Sequence, residues 1–286
     1  MKTKETETMA INNFNSYSET AKNMVEVFEQ TRNLSNTQFK EATELVKQQT
    51  FVYEELKKYK KEKKGTAVEF ISGGTVETGY NSADEHRTAV LNFADAITPG
   101  GLVLVGGTTQ EENICRCTNL YESITTGRCV TDYYRANAKT NGGIYLDNII
   151  YSADVLVFRD DTDYSLIEPK YFDVITCPAP SQYIRNEHTA MKIYTRRIRN
   201  IITSAILNDA ECLVLGAWGC GAFGQDPALI SRAFVDVLNE YSGAFKRVVF
   251  AIRPTPGLVR SNTSTTNVLL KEFNNRYKWG VENGIR

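Results

Sequence analysis

Residues 212–227 read CLVLGAWGCGAFGQDP. Four apolar residues run straight into a segment, 216–224, that carries four glycines in nine positions. Asp226 and Pro227 then open an amphipathic helix, with the aspartate as N-cap and the proline at the first helical position. The stretch therefore reads as strand, glycine loop, helix. Glycines at 216, 219, 221 and 224 reach backbone conformations closed to other residues. Successive N–H groups can then turn toward one anion, and the field of the following helix terminus favours it. A diphosphate is the natural guest. Gly219, Gly221 and Gly224 also fit G-x-G-x-x-G, but the match falls late in the chain. The next strand ends in Arg253 rather than in the acid that a dinucleotide-binding unit needs for a ribose. A nicotinamide-dependent oxidoreductase is disfavoured on that ground.

The same texture extends outward from this loop. Short apolar runs at 67–71, 89–93, 155–158, 171–177 and 247–252 read as further strands, and 110–124, 186–208 and 227–241 read as helices. Alternating strands and helices point to an α/β fold with helices layered on a largely parallel or mixed central sheet. Ligands of such sheets bind beyond the carboxyl ends of the strands. Residues 1–64 differ, containing neither glycine nor proline. Their apolar residues recur at helical spacing: Met24, Val25, Val27 and Phe28; Phe39, Ala42, Leu45 and Val46; Phe51, Val52 and Leu56. The reading is an N-terminal extension of two or three helices over 1–64, packed on a core domain over 65–286. The run KKYKKEKK at 57–64 reads as a solvated helix end or linker.

Bulk properties narrow the function. The 286 residues carry 33 Lys and Arg against 34 Asp and Glu, a formal charge of −1, so no broad nucleic-acid-coating surface is expected. The six cysteines, at 115, 117, 129, 177, 212 and 220, form no C-x-x-C pair, and there are two histidines, so no metal site is expected. The cysteines read as buried free thiols of a reducing compartment. A nucleophilic Cys115 or Cys220 working with His188 finds no support in the spacing. The polar N-terminus lacks a signal peptide's apolar stretch, and no run is long enough to span a bilayer. A cytoplasmic protein is expected.

A second glycine-rich loop follows the strand at 89–93. It contains Asp95, Gly100 and Gly101, then Gly106 and Gly107, and leads into Gln110-Glu111-Glu112 at the start of a helix. Two carboxylates in a first turn need do no more than complement the helix dipole. The combination of two Gly-Gly turns and Gln-Glu-Glu within 21 residues is more specific. NFADAITPGGLVLVGGTTQEENICRCTNLY at 92–121 resembles the signature of the poly(ADP-ribose) glycohydrolases: a glycine triplet, a spacer, then Gln-Glu-Glu. IIYSADVLVFRDD, VITCPAP and LGAWGCGAFGQDP follow in the order of the bacterial-type members. The resemblance spans roughly residues 85–255.

The resemblance implies a macrodomain-like three-layer α/β/α fold and hydrolysis of the ribose glycosidic bond of poly(ADP-ribose), releasing ADP-ribose without a cofactor. It places the general acid on Glu112 and the residue orienting the ribose hydroxyls on Glu111, with Gln110 supporting the pair. Asp95, Gly100 and Gly101 fall beside the distal ribose. Gly219, Cys220, Gly221, Ala222, Phe223 and Gly224 form the diphosphate loop, with Phe223 packing on the ligand. The partner implied is ADP-ribose or its polymer attached to a macromolecule, with no membrane involved. One position departs from the signature: the triplet reads Gly100-Gly101-Leu102. A leucine there bears on the choice between polymer and mono-ADP-ribose, so a mono-ADP-ribosyl hydrolase remains an alternative. A non-catalytic ADP-ribose reader is the other, although a reader needs no Gln-Glu-Glu.

Overall fold

The computed structural model describes residues 2–54, 56, 66–253, 262–278 and 281–282; the 57–64 run lies outside the described residues. Among the described residues, eight strands form one sheet: β1 (Thr50–Tyr53), β2 (Ala67–Ile71), β3 (Thr88–Phe93), β4 (Ile149–Arg159), β5 (Leu166–Cys177), β6 (Cys212–Leu215), β7 (Arg247–Ala251) and β8 (Val281–Glu282). Their spatial order is β1-β4-β5-β3-β6-β7-β2-β8. From β5 to β8 all neighbours are parallel, while β4 runs antiparallel to both β1 and β5. The sheet is mixed, as expected.

Side chains of the central strands alternate between two cores. Leu91, Leu213, Leu215, Val248 and Phe250 point to one face, and Val90, Val214 and Val249 to the other. A strand buried on both faces is mostly apolar, which is why β6 and the runs 89–91 of β3 and 248–251 of β7 stand out in the sequence. The first face is covered by α7 (Glu187–Leu207), α8 (Pro227–Glu240) and α9 (Asn262–Arg276). The second carries α1 (Lys2–Asn36), α2 (Lys40–Gln48), α3 (Thr75–Ser82), α4 (Gln110–Cys117) and α5 (Leu120–Ile124). A short α6 (Arg135–Ala138) continues a π-helical turn at Cys129–Tyr134. Three layers, α/β/α, result.

Several elements differ from the sequence expectation. Phe51 and Val52, spaced as if helical, lie in the edge strand β1, paired with Tyr151 and Ile150. Tertiary pairing overrides the local pattern there. Phe28 of α1 and Val46 of α2 are fully buried in the same cluster as Val90 and Val214, so residues from both sides of position 64 share one core. The helix expected over 110–124 is two helices. Thr118 leaves the helix to bridge Val157, and Asn119 exchanges hydrogen bonds with Leu156, accepting from its N–H and donating to its carbonyl. β4 begins six residues before its expected start, because Ser152 and Asp154 interrupt the apolar run without ending the strand. Asp154 sits at φ 53 at a register shift, and its N–H donates to the buried Asp173 carboxylate at 2.9 Å.

The first core depends on Phe250. Its ring stacks on Phe70 of β2 at 4.9 Å and meets Phe234 of α8 and Phe273 of α9 edge-on at 5.3 and 5.0 Å. Phe250→Ala removes the shared partner of three elements. Urea denaturation should show a loss of about 3–5 kcal/mol; a loss below about 1 kcal/mol would show the cluster to be loosely packed.

Candidate active site

Three parallel strands, β5, β3 and β6, end side by side, and the residues beyond their carboxyl ends build the site. After β3 the chain turns through Ala94–Gly101 and a single 3-10 turn at Val103–Val105 into α4. Gln110, the first residue of α4, fastens that helix to the strand. Its Oε1 accepts from the N–H of Phe93 at 2.8 Å, and its Nε2 donates to the carbonyl of Leu91 at 2.7 Å and to Thr75 Oγ1 at 3.2 Å.

Glu111 and Glu112 are 2% and 4% exposed. Glu111 accepts from the N–H of Asp95 at 2.7 Å and from Asn92 Nδ2 at 3.3 Å. Burial pushes its carboxyl well above the usual glutamate range, opposed by the Asp95 N–H and reinforced by the charge of Glu112. Glu112 accepts from the N–H groups of Leu102 and Thr109, each at 2.8 Å, and from the Thr109 hydroxyl. Thr109 and Glu112 form a capping box. Adjacent residues on a helix diverge by about 100°, yet both carboxylates reach one place. A Cβ on Gly101 would lie 2.6 Å from Glu112 Oε1 and 3.1 Å from Glu111 Oε2. Gly101, at φ 58, therefore crosses directly over the pair, where any side chain would both strain the backbone and displace a carboxylate.

Asp95 contributes mainly through its backbone. Its Oδ1 is taken by the N–H groups of Ile97 and Thr98, which shapes the turn before Gly100. Leu102, in place of the third glycine, has φ −96, a conformation open to any residue, and its side chain is 62% exposed.

The second glycine loop leaves β6. Trp218 anchors it from below, fully buried, with Nε1 donating to the carbonyl of Cys177 at the end of β5 at 3.0 Å. Gln225 closes it from behind: its Nε2 donates to the carbonyls of Pro180 and Phe223, and the Tyr194 hydroxyl donates to its Oε1. Gly219, at φ 76, passes so near Ala179 that a Cβ would stand 2.7 Å from that methyl. At Gly221 and Gly224 a Cβ would meet nothing within 4 Å. Gly221, Ala222 and Gly224 are exposed and Phe223 is half-buried. Among the described residues, the N–H groups of Gly221, Ala222 and Phe223 have no acceptor, whereas those of Cys220, Gly224 and Gln225 are bonded within the loop. Three free N–H groups on an open turn are donors that an anion could take. The Phe93 ring lies 2.8 Å from where a Gly216 Cβ would stand, so the two glycine loops are next to each other at one end of the sheet.

The site therefore gathers Gln110, Glu111, Glu112, Asp95, Gly100 and Gly101 on one strand end and the 219–224 loop on the next. Asn92, Thr109, Gln225 and Trp218 join them. None of these four has a role assigned from the sequence; a Thr-x-x-Glu capping box is the signal that marks Thr109, and Asn92, Trp218 and Gln225 are marked only by lying within the motif stretches 92–121 and 212–227. The cysteines do not belong to this chemistry. Burial pushes Cys220 up to about 12 and Cys115 well above its ordinary value, and His188 is exposed on α7.

The microbial-type PARG catalytic-domain family matches residues 6–160 of the chain. The fold is similar to the poly(ADP-ribose) glycohydrolase of Thermomonospora curvata, with TM-score 0.78 at 26% identity over 88% of this chain and 99% of that one. It is also similar to the Deinococcus radiodurans poly(ADP-ribose) glycohydrolase in complex with ADP-ribose, with TM-score 0.71 at 29% identity over 82% and 97%. A Thermomonospora structure bound to the inhibitor ADP-HPD gives TM-score 0.76. No curated protein matches the sequence.

The raised carboxyl of Glu111 has a consequence for stability. The folded chain holds this proton more tightly than the unfolded chain does. The stability involved is complete below the ordinary glutamate range and is lost as pH climbs through the raised value. Urea unfolding from mildly acidic to mildly alkaline buffer should show the wild type losing stability relative to Glu111→Gln as pH rises. Parallel curves would mean that the carboxyl titrates as if exposed.

Proposed function

The chain belongs to the microbial-type poly(ADP-ribose) glycohydrolase family, and on that premise we propose that it hydrolyses the ribose glycosidic bond of poly(ADP-ribose) and releases ADP-ribose. The observation that carries the reading is the pairing of two strand ends: buried carboxylates under Gly101 beyond β3, and free N–H groups of the 221–223 turn beyond β6. A ligand that carries both a diphosphate and a ribose fits that pairing of functions.

In this reading the N–H groups of Gly221, Ala222 and Phe223 take the diphosphate, and Phe223 packs on the ligand. Gly100 and Gly101 let the distal ribose approach closely, and Glu111 holds its hydroxyls. Glu112, protonated, gives its proton to the leaving oxygen as the C1″–O bond breaks. The anomeric carbon becomes oxocarbenium-like. Water adds to it, and Glu112 takes the water's proton, which restores the acid. Two-carboxylate glycosidases place their groups on opposite sides of the scissile bond. Here both carboxylates rise from one helix terminus beneath one glycine, which supports a single proton-transferring residue. The substrate is ADP-ribose polymer attached to a macromolecule. We place the protein in the cytoplasm on the strength of its six unpaired cysteines; among the described residues no helix is long and apolar enough to cross a membrane.

One observation favours a second assignment of the acid: burial raises the carboxyl of Glu111, so it holds a proton more readily. The two glutamine variants separate the assignments. Glutamine at position 112 retains a capping-box acceptor, so the helix start survives the change. Glu112→Gln should lower kcat on poly(ADP-ribose) by about a hundredfold or more, the scale of a lost general acid. Calorimetry should still detect ADP-ribose binding to that variant. Glu111→Gln should chiefly weaken substrate binding. A Glu112→Gln enzyme of wild-type rate beside an inactive Glu111→Gln would move the acid to Glu111.

A further inference from the structure

The loop that carries Gly101 also exposes an apolar surface. Leu102, Leu104 and Val105 are 62%, 49% and 66% exposed, while Val103 between them is fully buried as the anchor. Ile97 is exposed on the same loop. Residues 96–110 contain no charged residue. The surface is held in place rather than loose. Gly106, at φ 83, is packed against the backbone of Ala21 in α1 so closely that a Cβ would collide with its carbonyl. The Arg116 guanidinium, fully buried, donates to the carbonyls of Gly107 and Met24 and ties the same turn to α1. Clustered exposed apolar side chains on a braced turn mark a contact surface.

Its position says what makes the contact. The N–H of Leu102 donates to Glu112 Oε1 at 2.8 Å, so the leucine side chain starts two bonds from the carboxylate contact. On the reading given under Proposed function, that carboxyl protonates the leaving oxygen, so whatever is attached to the oxygen leaves past residue 102. In poly(ADP-ribose) the oxygen belongs to the adenosine of the neighbouring unit, whose flat purine suits an uncharged apolar surface. We propose that Leu102, Leu104 and Val105 form a leaving-group rim that takes the adenosine of the neighbouring unit and so selects polymer over other ADP-ribose conjugates. The inference rests on the proposed glycohydrolase activity. It gives Leu102, the one departure from the glycine triplet, a role in substrate choice.

The test compares two substrates: poly(ADP-ribose), and an ADP-ribose glycoside of trifluoroethanol, whose small aglycone carries no base. The readout is the ratio of the two kcat/KM values for wild type, Leu102→Ser and Leu102→Ser/Val105→Ser. Both positions are exposed, so the variants should fold, and circular dichroism and urea unfolding check that they do. The polymer-to-glycoside ratio should fall about tenfold in the double variant, a factor worth about 1.4 kcal/mol. A ratio that stays at the wild-type value overturns the rim, whether both rates fall together or neither moves. So does an unchanged ratio with an altered sedimentation coefficient, which would assign the surface to a second copy of the chain. Wild-type protein that frees ADP-ribose from neither substrate overturns the glycohydrolase reading itself, and the rim with it.

Discussion

One amide side chain fastens the first turn of α4 to the end of β3. Gln110 accepts from Phe93 and donates to Leu91, taking a donor and an acceptor that the strand offers where its ladder ends. Two residues fall into place from that anchor. Glu111 is directed at the Asp95 N–H and Asn92, and Glu112 at the Leu102 and Thr109 N–H groups. Backbone N–H groups are the donors least able to move away, so the carboxylates are fixed by the fold rather than by rotamer choice. Burying an ionised carboxylate costs several kcal/mol unless hydrogen bonds compensate. Here the compensating donors come from the loop that leads from β3 into α4. The helix terminus, the loop and the carboxylates thus form a single rigid unit.

The parts of this arrangement that sequence reveals are those that local chemistry dictates. β3, β6 and β7 are legible because burial on both faces makes each of them carry a run of consecutive apolar residues. The 219–224 loop is legible because so many glycines in one turn have few uses besides backbone contact with a ligand. β4 is only half legible: Ser152 and Asp154 break its apolar run, and only the partner β5, through Asp173, shows why an aspartate at φ 53 belongs there. β1 is hidden because Phe51 and Val52 keep helical spacing with their neighbours, and only the free edge of β4 recruits them to the sheet. The break at Thr118 has the same cause, an outlying stretch of β4 that needs a partner.

The site divides along the same line. Gln110, Glu111 and Glu112 can be picked out as a motif, and their helix start is written in Thr109 and Glu112. The depth of Glu111 is not written there. It follows from Asn92, the Asp95 turn and Gly101 closing around it, three contributions from outside the helix. A pattern of two adjacent glutamates on a surface helix is compatible with two solvated carboxylates. The fold makes them two buried ones with different hydrogen-bond partners, Asp95 and Asn92 for Glu111, Leu102 and Thr109 for Glu112.

Backbone geometry also explains why the glycine triplet can lose its third member. Gly100 and Gly101 sit at φ 70 and 58, and the Cβ of any other residue at 101 would occupy the space of the carboxylates. Position 102 has an ordinary φ, and its side chain projects into solvent. What the site requires of residue 102 is its N–H on Glu112, and every residue except proline supplies that. The first two glycines are therefore bound by sterics, while the third position is free to take on chemistry. A leucine there leaves the carboxylate bracing intact and changes only the exposed surface beside it. The backbone and the side chain of residue 102 thus serve different ends, and the side chain can change without disturbing the bracing of Glu112.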